Sequence, residues 1–244
     1  MHKDHRLFSG PATTNMRIWR YMDLSKLVSL LHTSTLWFAR ADTMSDPYEG
    51  AYGAHNLPAE VDTSIIPASE WPKIKENAQH CARYTFVNCW HMADAESLAM
   101  WGSYATKGQA VVAQSTFERL TRSITDERSV YAGTVTYVNR REDWISGVAG
   151  NTFWPILFKR PSFSYEHELR AVTQQWKTRD GVVVYDVEPP PGLSVSVELG
   201  TLLEAVYVGP GEPERFRQAV TAVVEAFAPG TPVHQSALDV GPAF

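Results

Sequence analysis

The order of the predicted secondary-structure elements is what most constrains how this chain can fold. Strand patterns are found at 16–21, 36–40, 83–90, 109–114, 130–138, 168–174, 182–187 and 202–208. Helical patterns are fewer, at 24–31, 96–104, 116–124 and 213–227. Strands and helices do not alternate regularly, so a doubly wound parallel sheet is disfavoured. The order predicts an α+β fold with a mixed, largely antiparallel sheet and a few short helices.

Local signals set the expected boundaries of a single α+β domain over residues 16–228. Asp23 is suited to cap the first helix, and Pro213 to open the last one. Turn-forming residues fill 42–53, the segment 56–72 has a loop-like composition, and three prolines make 189–191 an extended linker. Residues 1–15 are expected to be a flexible N-terminus, and 229–244 a C-terminal tail.

Composition narrows the functional classes. The 244 residues carry a formal net charge of −5 and contain no run of Lys or Arg, so there is no global basic field to hold nucleic acid. Cys81 and Cys89 lack the spacing of a zinc site, and no metal site is predicted. No stretch approaches the roughly 18 apolar residues of a membrane span, so a cytoplasmic protein with no membrane partner is expected.

The most informative segment contains Glu166, Glu168 and Arg170. If it enters a strand, the period of two places all three side chains on one face. One interpretation is a solvated face with an internal salt bridge, which contributes little to stability and is the better reading of this segment taken alone. The other is a carboxylate that meets a sugar hydroxyl or a developing cation, with the second acid and the arginine setting its ionisation.

Three further segments bear polar or aromatic residues suited to a ligand. Arg20 and Tyr21 end a strand beside a helix start, where arginine can bind phosphate. Core packing is the simpler interpretation for Trp37 and Phe38, and the turn chemistry of 45–50 leaves Tyr48 free for other work. His91 is expected to be a satisfied histidine, and Trp101 and Tyr104, on one helix face, to pack.

Together these segments resemble a bacterial domain-of-unknown-function family, number 2971, over about residues 16–175. The matching pieces are Trp19-Arg20-Tyr21, Leu36-Trp37-Phe38-Ala39, Ser45-Asp46-Pro47-Tyr48-Glu49, Cys89-Trp90-His91, Met100-Trp101-Gly102-Ser103-Tyr104-Ala105, Gly108-Gln109-Ala110-Val111-Val112 and Tyr165-Glu166-His167-Glu168-Leu169-Arg170. The set is specific although each piece alone is weak. The family name carries no function.

The chain also resembles, more distantly, the ADP-ribosyltransferases. Their series of an arginine-bearing strand, a short helix, an aromatic strand and a late Glu-x-Glu strand is similar to Arg20-Tyr21, 24–31, 36–39 and Glu166-His167-Glu168. The resemblance implies an ADP-ribosyltransferase-like fold. It also implies that NAD is bound and is consumed as a substrate.

The same resemblance implies residue roles. Glu168 would act on the ribose and Glu166 would orient the acceptor, a protein, nucleic acid, small molecule or water. Those implied to bind NAD are Arg20, Tyr21, Trp37, Phe38, Tyr48 and Arg170.

Two other functions remain open from the residues. A metal-dependent nuclease could use Asp46, Glu49, Glu166 and Glu168 as Mg²⁺ ligands, with Lys159 as its lysine. A non-enzymatic interaction or sensor module, in a defence or toxin system, would need neither carboxylates nor cleft. An NAD site predicts an aromatic-lined cleft with Arg20 near Glu168, and a nuclease predicts carboxylates at metal-bridging distance.

Overall fold

The computed structural model describes residues 1–44, 46, 48, 69, 71–104, 109–139 and 152–240. The strands in chain order are β1 (Arg17–Asp23), β2 (Thr35–Arg40), β3 (Thr85–Met92), β4 (Ala110–Thr116), β5 (Tyr131–Thr134), β6 (Thr136–Tyr137), β7 (Phe158–Lys159), β8 (Glu168–Gln174), β9 (Thr178–Arg179), β10 (Val182–Val183), β11 (Gly192–Ser196), β12 (Ala205–Val208) and β13 (Val233–Gln235). The α-helices are α1 (Leu24–Thr33), α2 (Trp71–Arg83), α3 (Leu98–Tyr104), α4 (Phe117–Ser123), α5 (Leu199–Leu202) and α6 (Glu214–Phe227). Short 3-10 segments include Trp154–Leu157 and Pro161–Glu166.

One sheet organises the described part of the chain. Its order is β11-β2-β3-β1-β4-β12-β13, and β8 pairs with the other edge of β3 and carries β5 beyond it. These pairings are antiparallel except for β12 with β13, which is parallel. The α+β class and the mixed, largely antiparallel sheet predicted from the sequence are therefore confirmed.

The sheet splits beside β3, and this split positions the site. β2 pairs with Phe86 and Val87 near the start of β3, whereas β1 pairs with His91 and Met92 near its end. The two strands therefore diverge along residues 88–90 of the same edge. In this gap the Asn88 side chain donates a 2.8 Å hydrogen bond to the Trp37 carbonyl. This bond gives the carbonyl a partner where β2 and β3 are no longer paired.

The first helix forms as its sequence predicts. The Asp23 carboxylate accepts from the Lys26 N–H at 2.9 Å and caps α1. Leu27, Leu30 and Leu31 point from α1 into the main core, where each buried leucine contributes about 1.5–3 kcal/mol. Val220 and Val224 of α6 enter the same core. These two helices therefore cover one face of the sheet.

Several predicted boundaries are wrong. β3 begins at Thr85 instead of 83 because α2, a helix that was not predicted, runs on to Arg83. The segment predicted as a strand over 182–187 forms only the two-residue β10. The linker at 189–191 leads into β11, an edge strand on β2 that was also missed. A side chain at Gly192 would collide with the Trp37 indole, so this close approach requires glycine.

Both expected appendages contact the domain. Phe8, in the segment predicted to be a flexible N-terminus, is buried in a cluster with Ile156, Leu157 and Val172. Residues 233–235 of the predicted tail form β13. Glu49 and most of 56–72 lie outside the described residues. No helix in the described ranges is both long enough and apolar enough to cross a lipid bilayer.

Candidate active site

A cleft of about 540 Å³ opens where β1 and β2 diverge from β3. Its volume lies within the range of small-molecule sites. The walls come from α1, β1 and β2, and the floor from β3 and the segment 159–168. The polar and aromatic residues that line it are Trp19, Arg20, Tyr21, Lys26, Trp37, Cys89, Trp90, His91, Tyr104, Lys159, Glu166 and Glu168.

Arg20 projects from β1 into this gap. Its Nη1 donates a 2.7 Å hydrogen bond to the carbonyl of Cys89, a β3 residue between the stretches paired with β2 and β1. The guanidinium has five N–H donors, so this bond leaves donor capacity for a ligand in the cleft. Arg20 therefore provides a hydrogen-bond donor for the Cys89 carbonyl, and it also presents positive charge to the cavity.

Two buried carboxylates form the floor, and we call Glu166 and Glu168 the acid pair. Glu166 is 3% exposed and Glu168 4% exposed. The sequence placed both on one strand face, but Glu166 ends the 3-10 segment before β8, and His167 between them adopts a left-handed backbone with φ 40°. The alternative of a solvated strand face is wrong, because both acids and Arg170 are buried.

Glu168 is fixed by several donors. Arg170 donates from Nε to Oε1 and from Nη2 to Oε2, both at 2.9 Å, and Lys159 Nζ lies 3.2 Å from Oε2. The backbone N–H of Glu168 also donates to the Tyr137 hydroxyl at 2.9 Å. Burial raises the pKa of Glu168, but the charge and hydrogen bonds of Arg170 outweigh burial and bring the pKa to about 2. Glu168 is therefore ionised at neutral pH.

Glu166 bridges two elements. Tyr104, at the end of α3, donates a 2.7 Å hydrogen bond to Oε1, and Lys159 Nζ contacts Oε2. Burial and the hydrogen bond to Glu166 raise the pKa of Tyr104, so its hydroxyl stays protonated. His91 Nδ1 lies 2.6 Å from the Glu166 carbonyl, and burial lowers the pKa of this histidine. A carbonyl only accepts, so Nδ1 carries the hydrogen.

Five of the eight predicted site residues line the cleft. They are Arg20, Tyr21, Trp37, Glu166 and Glu168. Trp37 is 49% exposed, so core packing, the simpler interpretation of it, is wrong. The Tyr21 hydroxyl already accepts from the Ser97 N–H at 2.8 Å.

The other three predicted residues do not line the cleft in the described part of the chain. Phe38 alternates with Trp37 along β2 and is fully buried in the main core. Arg170 is 0% exposed, so it would affect a ligand in the cleft only by orienting Glu168. Tyr48 stacks on the Arg160 guanidinium, whose carbon lies 4.7 Å from the ring centre.

Sequence reasoning missed Tyr104 and Cys89 as members of the site, and it included Lys159 only as the lysine of a nuclease. Lys159 is separated from β8 by the whole 3-10 segment, and no spacing rule links it to the acid pair. Tyr104 was expected to pack beside Trp101, yet its hydroxyl reaches Glu166. Burial and the Glu168 carboxylate raise the pKa of the Cys89 thiol.

Three of the four carboxylates that a nuclease would need, Asp46, Glu166 and Glu168, are paired with cations of the protein itself, and Glu49 lies outside the described residues. No cluster of three or more acidic, histidine or cysteine ligands occurs within the described residues. Asp46, buried in its turn, accepts from Arg160 Nη2 at 2.8 Å, and the acid pair contacts Lys159 and Arg170. Lys159 does reach the acids, as the nuclease interpretation requires, but the site it completes is already neutral without a metal.

No protein-family model matches this sequence, and no curated protein matches it. The resemblance to family 2971 therefore stays a hypothesis. Among solved structures, the chain is similar to "Thermus sp. 2.9 DarT in complex with NAD+", with 10% identity, 96% of this chain and 100% of that chain covered, and a TM-score of 0.43.

Two further complexes of the same DarT are also similar. The complex with ADP-ribosylated ssDNA has 10% identity, covers 95% of this chain and 97% of that one, and has a TM-score of 0.41. The complex with carba-NAD+ has 12% identity, covers 93% and 98%, and has a TM-score of 0.40. With TM-scores below 0.5, this likeness carries no argument about the activity of the present chain.

Proposed function

We propose that this protein is an ADP-ribosyltransferase-like enzyme that cleaves NAD at the nicotinamide bond and transfers ADP-ribose to an acceptor. One observation carries the proposal. A buried carboxylate with a pKa of about 2, Glu168, lies at the floor of a cleft whose walls present the Arg20 guanidinium and the Trp37 indole. The pyrophosphate anion, the nicotinamide ring and the cation that develops on the ribose each have a counterpart in this cleft, namely Arg20, Trp37 and Glu168.

Charge development during the reaction explains the need for Glu168. As the bond between the ribose C1′ and the nicotinamide nitrogen breaks, its electron pair leaves with neutral nicotinamide, and positive charge grows on the sugar. A preorganised carboxylate in a dry site stabilises such charge far better than one in water. Glu168 accepts a hydrogen bond from the ribose 2′-hydroxyl. It remains ionised because the positive charges of Arg170 and Lys159 lower its pKa.

Arg20 and Trp37 bind the parts of NAD on either side of the reacting ribose. The free donors of Arg20 bind the pyrophosphate or the adjoining ribose, for which a planar guanidinium is well suited. The half-exposed indole of Trp37 stacks on the nicotinamide ring, because planar rings at about 3.5 Å gain both dispersion and burial. Tyr21 supports this wall from β1.

Glu166 serves the second half of the reaction. The acceptor forms its bond to C1′ and loses a proton, and a carboxylate next to Glu168 can orient the acceptor and receive that proton. The acceptor is a nucleophile on a protein, a nucleic acid, a small molecule or water.

Nicotinamide release from NAD tests the proposal, with and without cell lysate as a source of acceptor. Glu168→Gln keeps an acceptor for Arg170 but removes the charge, and release is expected to fall about 100-fold or more. The matched control is Glu225→Gln on the exposed face of α6, which should release nicotinamide like the wild type. Equal rates in folded wild type and Glu168→Gln, or no release by the wild type at all, overturn the proposal.

A further inference from the structure

Lys159 lies between the two acids and contacts both, whereas the proposed chemistry uses it only through Glu168. It ends β7, outside the strand that carries Glu168, and its side chain is 5% exposed. Its Nζ contacts Oε2 of Glu166 and lies 3.2 Å from Oε2 of Glu168. The ammonium also lies 4.8 Å from the centre of the Phe163 ring, which covers it on another side.

Among the described residues in direct ionic contact, the charges balance only with Lys159 present. Glu166 and Glu168 contribute −2, and Lys159 and Arg170 contribute +2, which gives zero. Without the ammonium the sum is −1, and two carboxylates share one buried site. Two like charges in one buried site repel each other, and burial already disfavours each charged form, so loss of the shared cation favours protonation of the pair.

We infer that Lys159 is a positioning residue, which holds the acid pair side by side as two carboxylates so that both can act in the same turnover. The consequence for activity rests on the proposed function. The consequence for the charge and stability of the cluster does not, because it follows from the contacts alone.

The groups that face the acid pair come from every element packed around it. They are Arg20 of β1, Cys89 and His91 of β3, Tyr104 of α3, Tyr137 of β6, and Arg170 of β8. Cys89, Tyr104 and Tyr137 have raised pKa values, to about 12 for Tyr137, and burial is the first cause for each. Burial lowers the pKa of His91. Arg170 contacts only Glu168 of the acid pair, so Lys159 is the cation that the two acids share.

The first test is the pH profile of nicotinamide release by Lys159→Met. Removing the cation favours protonated carboxyls, so the acid limb of the profile should move to higher pH by about two units. Lys159→Arg should restore the midpoint even if its maximal rate is lower. Lys73→Met, an exposed lysine on α2, should keep the wild-type profile. A wild-type midpoint in folded Lys159→Met would overturn the inference.

A second test needs no activity. As the pH is lowered from 8, Lys159→Met should take up about one proton at a higher pH than the wild type does in a potentiometric difference titration. The double variant with Glu166→Gln removes the second acid, so the uptake at higher pH should disappear and the Tm lost in Lys159→Met should largely return. Simple loss of packing would not be repaired by Glu166→Gln.

The two tests separate the possible failures. If the wild type releases no nicotinamide, the proposed function fails while proton uptake and Tm still decide the role of Lys159. If release depends on Glu168 but neither proton uptake nor Tm responds to Glu166→Gln, the function stands and Lys159 is not a positioning residue.

Discussion

The carboxylate of Glu168 and the guanidinium of Arg170, two residues apart on one face of β8, form a buried bidentate ion pair with both N–O distances at 2.9 Å. Arg170 Nη1 also donates to the Ile156 carbonyl at 2.6 Å, which fixes the guanidinium from behind. The acid is therefore held in one orientation, and its charge is maintained although its side chain is buried.

Breaking this pair should be costly to the fold. Arg170→Met leaves Glu168 buried with one cation fewer, and the free energy of unfolding should fall by about 3–5 kcal/mol in a urea titration. The control is Arg217→Met, which removes an equally bidentate but exposed pair with Glu214 on α6 and should cost far less, because solvent screens exposed pairs. Equal losses in the two variants would show that burial does not set the strength of the Glu168 pair.

Stability should depend on acid pH through Glu168. Its pKa is lowered from 4.5 to about 2 in the folded protein, so below pH 4.5 the unfolded chain binds a proton that the folded protein does not. The resulting stabilisation is present above pH 4.5 and is lost as the pH falls towards 2, on the order of 3 kcal/mol in total. Urea unfolding at pH 6, 4 and 3 should show a shallower decline for Glu168→Gln than for the wild type, and parallel declines would contradict this assignment.

Arg20 should distinguish ligands with phosphate from those without it. In Arg20→Lys the planar fork is lost, so KM for NAD should rise at least about 10-fold, whereas turnover of nicotinamide riboside, which lacks the pyrophosphate, should change far less. Arg215→Lys, an exposed arginine on α6, serves as the control. An equal rise in KM for both substrates would mean that Arg20 acts only through its hydrogen bond to Cys89.

Trp37 should contribute to ligand binding and little to stability. Truncation in Trp37→Ala should weaken NAD binding about 3- to 10-fold by calorimetry, while Trp37→Phe should retain most of the affinity because a ring remains. Phe227→Ala removes a ring of comparable exposure, 43% against 49%, from the far end of α6 and should leave binding unchanged. If binding is unaltered in Trp37→Ala, the nicotinamide does not stack there.

Local patterns predicted the parts of this fold that depend on neighbours in sequence. The Asp23 cap, the leucine face of α1 and the strand at 168–174 follow from capping and periodicity. β11 was missed because its three preceding prolines indicate a linker, and its pairing with β2 brings Gly192 close to Trp37. That contact joins residues 155 positions apart in sequence.

The site shows the same limit. Glu166, Glu168 and Arg20 were predicted, since acids and arginines at strand ends are visible in the sequence. Their burial was not, because the simpler expectation for alternating charges is a solvated face. Lys159 and Tyr104 reach Glu166 from separate elements, and only tertiary packing brings the three together.

The most direct test of the central claim is a crystal structure with an NAD analogue whose glycosidic bond cannot be cleaved. We expect the ribose 2′-hydroxyl within hydrogen-bonding distance of the Glu168 carboxylate, a phosphate on Arg20 and the nicotinamide ring against Trp37. An analogue bound outside the cleft, or with its adenine end at the acid pair, would contradict the account.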